Sequence, residues 1–230
     1  MKASDRVIKK IEEDGGRYWA GDNISKYVTE HSLTGLVNEA TIAFNAVLKA
    51  LVIDTKNDPN SKATARRLAK MYIYEIMSGR YTPKPDATAF PNQGDLAYNG
   101  MLVVRSEIRS MCSHHHQPVA GVAYIGVLPG KKVIGLSKYT RIAQWCARRG
   151  TLQEELCNDI VREIVKSCEV EDVAVYIQAE HGCCTNRGIM ADNSLTQTTV
   201  LKGHFLQDPD VKKEFFDNIS LQMQFAMGKA

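Results

Sequence analysis

The chain has 230 residues, with 29 Lys and Arg against 26 Asp and Glu, and 44% of its residues are hydrophobic. A chain of this size buries on the order of 70% of the surface it would expose unfolded, which excludes disorder as its dominant state. The formal net charge of +3 is too small to mark a nucleic-acid or membrane partner.

The opening stretch MKASDRVIKKIEEDGG carries charges where a secretory signal needs an apolar run. No later stretch approaches the roughly 18 apolar residues of a membrane span. The expected location is a reducing cytoplasm, with no membrane and no nucleic acid as partner. There the six cysteines are not a disulfide framework, which leaves metal ligands, reactive thiols and small core residues.

Residues 4–33 are charged and weakly periodic, and Gly15 and Gly16 interrupt them, so they read as an N-terminal extension. From Leu36 to Leu51 the residues Ala40, Ala43, Phe44, Val47 and Leu48 recur at helical spacing and predict an amphipathic helix. The polar loop DTKNDPNS ends it. A second helix is expected over 62–78, closed by Gly79. Pro83, Pro85 and Pro91 make 81–100 an irregular connection.

The period then changes. Residues 101–110 and 119–127 are rich in Val, Ile and Tyr and predict a hairpin of strands. Helices follow over 137–149 and 152–168, separated by Gly150. A strand over 173–179 and an antiparallel partner over 196–205 come next, and a helix over 209–223 ends the pattern. The order is that of an α+β fold with an antiparallel sheet. No internal repeat, low-complexity tract or convincing linker divides the chain; the chemistry-bearing motifs lie within 61–230, with 1–60 an N-terminal extension and helical region.

Two clusters, MCSHHHQP at 111–118 and AEHGCCTNRG at 179–188, lie where strands should end. Cys112 and His115 stand in C-x-x-H spacing, and Cys183 or Cys184 arrives in the second cluster. Two thiolates and one imidazole are three zinc ligands, the number that leaves a fourth position for water. A fourth ligand from His114, His116 or His181 would make the site structural instead. A lone C-x-x-H is more often core packing than a metal site, but Glu180, His181, two Cys and Arg187 within eight residues are hard to justify as core.

A third segment, VIGLSKYTRIAQ, runs a strand through Gly135 into a helix whose first turns carry Ser137, Lys138 and Arg141. Free N–H groups and cations there outline an anion site, and a plain Ser137 N-cap with solvated bases fits the same letters. Thr151-Leu-Gln-Glu154 has the form of a capping box. The same carboxylate can instead accept the paired N1–H and 2-amino donors of a guanine.

Together with TARRLAKMYIYEIMSG, the Gln153-Glu154 pair and a Thr-rich strand leading to GHF, these motifs resemble the GTP cyclohydrolase I family over about residues 63–216. The resemblance implies a tunnelling fold, in which a four-stranded antiparallel sheet carries two helices on one face. It implies a homo-oligomer, a decamer of two pentameric rings, with one Zn2+ per subunit held by Cys112, His115 and Cys183. Cys184 is then an extra thiol. His114 and His181 fall on the family's catalytic histidines, and Gln153 and Glu154 on its guanine-recognising pair. Arg67, Lys70, Ser137, Lys138, Arg141 and Arg187 fall on its triphosphate contacts. The implied reaction opens the guanine imidazole ring of GTP, releases formate and gives 7,8-dihydroneopterin triphosphate.

One position departs from the pattern: Ser113 stands where the family carries an acid. Two rival readings remain at this level. One is another tunnelling-fold purine or deazapurine enzyme, such as a nitrile reductase with a covalent Cys. The other is an oligomeric scaffold that binds GTP without turnover.

Overall fold

The computed structural model describes residues 1–95 and 97–228. The chain divides into two compact units, Met1–Pro83 with Arg148–Gly150, and Lys84–Ala147 with Thr151–Ala230. The boundary expected between residues 60 and 61 therefore falls inside the first unit.

The first unit is helical. Its elements are α1 (Ala3–Glu13), a short 3-10 turn (Ser25–Tyr27), α2 (Glu30–Ala50), α3 (Thr64–Lys70), a wider π-type turn (Met71–Ile76) and α4 (Ser78–Tyr81). The N-terminal stretch is thus more than an extension. Val7 and Ile11, one turn apart on α1, are buried with Ile24 against Tyr27, Val28 and Tyr81. Gly15, at φ +63°, follows the end of α1, and the N–H of Gly16 bonds Ile11 O at 2.8 Å. The glycines terminate this helix and do not prevent it.

The expected helix over 36–51 exists and begins earlier, at Glu30. Thr29 caps it by accepting a bond from Ser32 N at 3.2 Å. Val37, Ala69 and Ile73 form the interface of α2 with the following helical segments, and the Phe44 and Tyr72 rings stack at 5.3 Å. The expected single helix over 62–78 is realised as α3, the π-type turn and α4. Gly79 is buried within α4. The stop comes at Thr82, held extended at φ −110° and ψ 147°, because the following Pro83 disfavours helical backbone there.

The second unit carries, in chain order, β1 (Ala89–Pro91), β2 (Leu102–Met111), β3 (Pro118–Val127), β4 (Lys132–Ile134), α5 (Leu136–Ala147), α6 (Gln153–Cys168), β5 (Val173–His181), α7 (Gly182–Thr185), β6 (Thr196–Leu201), α8 (His204–Gln207) and α9 (Pro209–Met227). Strands β2, β3, β5 and β6 form one antiparallel sheet in the order β2-β3-β5-β6. The segment expected to be an irregular connection also contributes β1, which pairs with β4 as a separate ribbon. The final strand stops at Leu201, short of the expected 205. Gly203 turns the chain at φ +62°, and Asp172 accepts the N–H of His204 at 2.7 Å, starting α8.

Strand alternation decides which residues meet. Ala123, Ile125, Val175 and Ile177 face α5 and α6 in the larger core, with Ile142, Ile160 and Ile164 fully enclosed. Burying each such side chain contributes about 1.5–3 kcal/mol. The intervening residues Tyr124, Ala174 and Tyr176 face the other way, onto Phe205, Phe215 and Ile219. The α5–α6 pair covers one face as expected, and α9 adds cover to the opposite face. Gly126 permits that approach, since a Cβ there would lie 2.7 Å from the Phe215 ring.

Candidate metal and nucleotide site

The chemistry-bearing residues gather where three strands end. Met111 of β2 pairs with Pro118 of β3, and Val119 of β3 pairs with His181 of β5, so these strand ends lie side by side. Cys112 follows β2 directly and is buried. Its N–H bonds Gln117 O at 3.0 Å, and its carbonyl accepts from His116 N at 2.9 Å, which closes a tight turn between β2 and β3. His116 completes the turn in the left-handed region at φ +52°.

Across the sheet, β5 ends at His181 and the chain enters α7, which presents Cys183 and Cys184. Gly182 makes that entry possible, since a Cβ there would sit 2.8 Å from Asn186 Nδ2 and 3.1 Å from Pro118 Cδ. As a result, one potential ligand atom from each of Cys112, His181 and Cys183 lies within 4.8 Å of the others. This Cys-His-Cys group could hold a metal ion. Cys184 Sγ is 4.0 Å from Cys183 Sγ.

The electrostatics fit a cation. Burial, and then the neighbouring thiols Cys184 and Cys112, push the Cys183 thiol up to about 11. Crowded thiols resist ionising together, and a divalent cation reverses that preference by stabilising the thiolates. Burial draws the His181 imidazole below its ordinary value, and the charge of Glu154 partly offsets this. His181 is therefore biased toward neutral imidazole, the form that offers a ring lone pair.

Gln153, buried at the start of α6, closes the group from behind. Its side-chain oxygen is 2.6 Å from His181 Nε2. Glu154 follows it on the exposed side of the first turn of α6. The capping-box form of residues 151–154 is not realised: α6 is capped at Leu152 without a side-chain bond, and Thr151 Oγ1 donates to Glu155 Oε2 at 2.6 Å. No hydrogen bond or ion pair engages the Glu154 carboxylate among the described residues.

The other expected site residues are placed differently. His114 and His115 are exposed on the turn after Cys112, their rings edge to face at 6.3 Å. The imidazole gathered with Cys112 and Cys183 is thus that of His181, and His115 is outside the group. Ser137, Lys138 and Arg141 ride on the first two turns of α5, which begins at Leu136, with Ser137 and Arg141 exposed. Arg187 is exposed beyond α7. Arg67 and Lys70 are exposed on α3 of the first unit. Spacing did not single out the contact of Gln153 with His181, because the two are 28 positions apart and only the end of β5 brings them together.

The sequence pattern of the GTP cyclohydrolase I family matches residues 38–220. A GTP cyclohydrolase 1 of Flavobacterium johnsoniae is 40% identical over 181 residues, covering 78% of this chain and 79% of that relative. Proteins of the same name from Aeromonas salmonicida and Haemophilus ducreyi are each 38% identical, over 76% of this chain and 79% of their own lengths. With the family pattern spanning both strand-end cysteine clusters and relatives covering most of the chain, the protein belongs to the GTP cyclohydrolase I family.

Proposed function

We propose that this chain hydrolyses the imidazole ring of GTP, releases formate and closes the product to 7,8-dihydroneopterin triphosphate. The observation that carries the reading is the Cys112, His181 and Cys183 group at the ends of three adjacent strands, in a chain of this family. Two thiols and imidazole nitrogen are a donor set suited to zinc, one ion per subunit. Cys112 and Cys183 would supply the thiolates and His115, on the turn that follows Cys112, the imidazole, with the neighbouring His181 left for proton transfer. Zinc in such a site supplies Lewis acidity, which makes hydroxide available near neutral pH.

The protein's own groups supply the rest. Glu154, with its carboxylate unengaged, accepts the N1–H and 2-amino donors of guanine as a bidentate pair. His181 takes up a proton and passes it to N7 of the opening ring, and His114 is the second catalytic histidine. Ser137, Lys138 and Arg141, near the N-terminus of α5, bind the triphosphate with Arg187. Ser113 removes an acid from this network and alters the rate or the pH optimum without removing a ligand.

The assembly is a homo-oligomer of two pentameric rings. Strands β2 and β6 are the edges of the four-stranded sheet, and edge strands suit closure against neighbouring copies. No helix among the described residues is long and apolar enough to cross a membrane, and the cytoplasm is the proposed location.

The test is incubation of purified protein with GTP and with dGTP, following formate and the fluorescent oxidised pterin. GTP should yield both. The later rearrangement needs the 2′-hydroxyl, so dGTP should stall before the pterin. Absence of formate from GTP in protein carrying stoichiometric zinc sinks the reading, and recovery of activity by Ser113→Glu would trace the loss to that position. Zinc content of His115→Ala and His181→Ala separates ligand from proton carrier: the first should lose metal and the second retain it.

A further inference from the structure

The family resemblance assigns the Gln153 side chain to guanine, yet its amide is occupied at both ends by the protein. The nitrogen lies 3.1 Å from Thr198 Oγ1, 3.2 Å from Thr196 O and 3.4 Å from Ile177 O. Two of these partners are backbone carbonyls, which only accept, so the NH2 end must face them. The β5–β6 register, which pairs Ile177 with Thr198 and Ala179 with Thr196, brings all three acceptors to one place. The orientation of the amide is therefore set by two strands of the sheet.

That orientation has a consequence at the other end. The amide oxygen lies 2.6 Å from His181 Nε2. An amide oxygen also only accepts, so Nε2 must carry the hydrogen. Neutral imidazole has a single N–H, and Nδ1 is left with its lone pair.

We propose that Gln153 is a positioning residue: the β5–β6 carbonyls fix its amide, and its amide fixes His181 as the Nε2–H tautomer, which leaves the ring lone pair on Nδ1. Any bond that His181 makes to substrate or solvent then runs through Nδ1. Guanine recognition falls to Glu154, since the Gln153 nitrogen is held by acceptors of β5 and β6 and its oxygen by His181. The kinetic part of this inference rests on the proposed function, and the tautomer does not.

The test pairs a spectroscopic with a kinetic readout on the zinc-loaded protein. Solid-state NMR of 15N-histidine-labelled protein should show His181, assigned by its loss in His181→Ala, as the Nε2–H tautomer alone. Gln153→Met keeps the length of the side chain and removes both amide ends. It should mix the tautomers and lower kcat by about 10–100-fold, as loss of an orienting partner does. KM for GTP should stay within about twofold, because no substrate contact is lost. Thr198→Val leaves the two carbonyl anchors in place and should lower kcat by only about two- to fivefold at the same KM. That milder variant, with the wild-type spectrum, decides the matter if Gln153→Met does not fold. An Nδ1–H tautomer in the wild type, or a raised KM at unchanged kcat in Gln153→Met, overturns the proposal. If the unmodified protein releases no formate from GTP, the functional reading fails alone, and the spectrum still decides the tautomer.

Discussion

Cysteines occupy two regions of the second unit and meet opposite fates there. Cys146, Cys157 and Cys168 lie inside the core between the sheet and its helices, where Cys157 Sγ donates to Val175 O at 3.3 Å and Cys168 sits 3.6 Å from the Tyr139 hydroxyl. Cys112, Cys183 and Cys184 lie at the strand ends, two of them only half-buried. Burial alone pushes the Cys157 thiol up to about 12. At Cys183 the adjacent thiols add to burial. A core thiol has only a backbone or hydroxyl partner and remains a small hydrophobe. A thiol beside another thiol and an imidazole has the partners that a cation needs, so identical residue chemistry becomes packing in one region and a ligand set in the other.

The largest effect that tests this contrast is on the strand-end side. Cys112→Ser or Cys183→Ser should abolish stoichiometric zinc and lower formate release from GTP by on the order of 10³-fold, the loss of several kcal/mol of electrostatic stabilisation. Elemental analysis beside the formate assay checks it, and full activity in either variant would remove the distinction between the two regions. A smaller effect is expected at the exposed cations: Arg141→Ala should raise KM for GTP by roughly tenfold, the scale of one charge-assisted hydrogen bond, with zinc content unchanged. A loss of metal in that variant would mean that the two functions are not separable.

In the core, Cys157→Ala should retain metal and turnover while destabilising the protein by about 1–2 kcal/mol through a small cavity, read from denaturant melts. Loss of zinc from it would place the core thiols with the site. The same thiol also sets a pH dependence. A raised thiol pKa keeps the proton on the folded chain after the unfolded chain has lost it, so this stability is complete below pH 9.0 and is lost as pH rises toward about 12 for Cys157. Metal-free protein should melt at falling temperature across that window, and Cys157→Ala should flatten the decline. A decline of equal slope in the variant would mean that Cys157 does not contribute to it.

Much of the architecture was legible in local periodicity. The helix around Leu36–Leu51, the β2–β3 hairpin and the helix expected over 152–168 follow from spacing, because each element's own apolar face selects its period. Two features were not. The helix α1 is short and highly charged, and only its packing of Val7 and Ile11 against Ile24 shows that it belongs to a core. The ribbon of β1 with β4 is three residues long on each side and joins Ala89 to Ile134, a pairing that carries no local signal. At the site, the two cysteine clusters were visible as motifs, and Cys112 and Cys183 do meet. That His181 also stands beside them was not visible, since C-x-x-H spacing draws attention to His115 and only the strand register brings in His181.

By itself the sequence determined the residue classes, their placement at strand ends, and family membership through motifs in a fixed order. Those are properties of local spacing and side-chain chemistry. Only the tertiary structure decided that Glu154 is not consumed by a helix cap, that the Gln153 amide is locked by Ile177, Thr196 and Thr198, and that His181 stands with the two thiols. Each of these depends on which strand pairs with which, and in what register, and such long-range pairing sets hydrogen-bond partners that neighbouring residues along the chain do not specify.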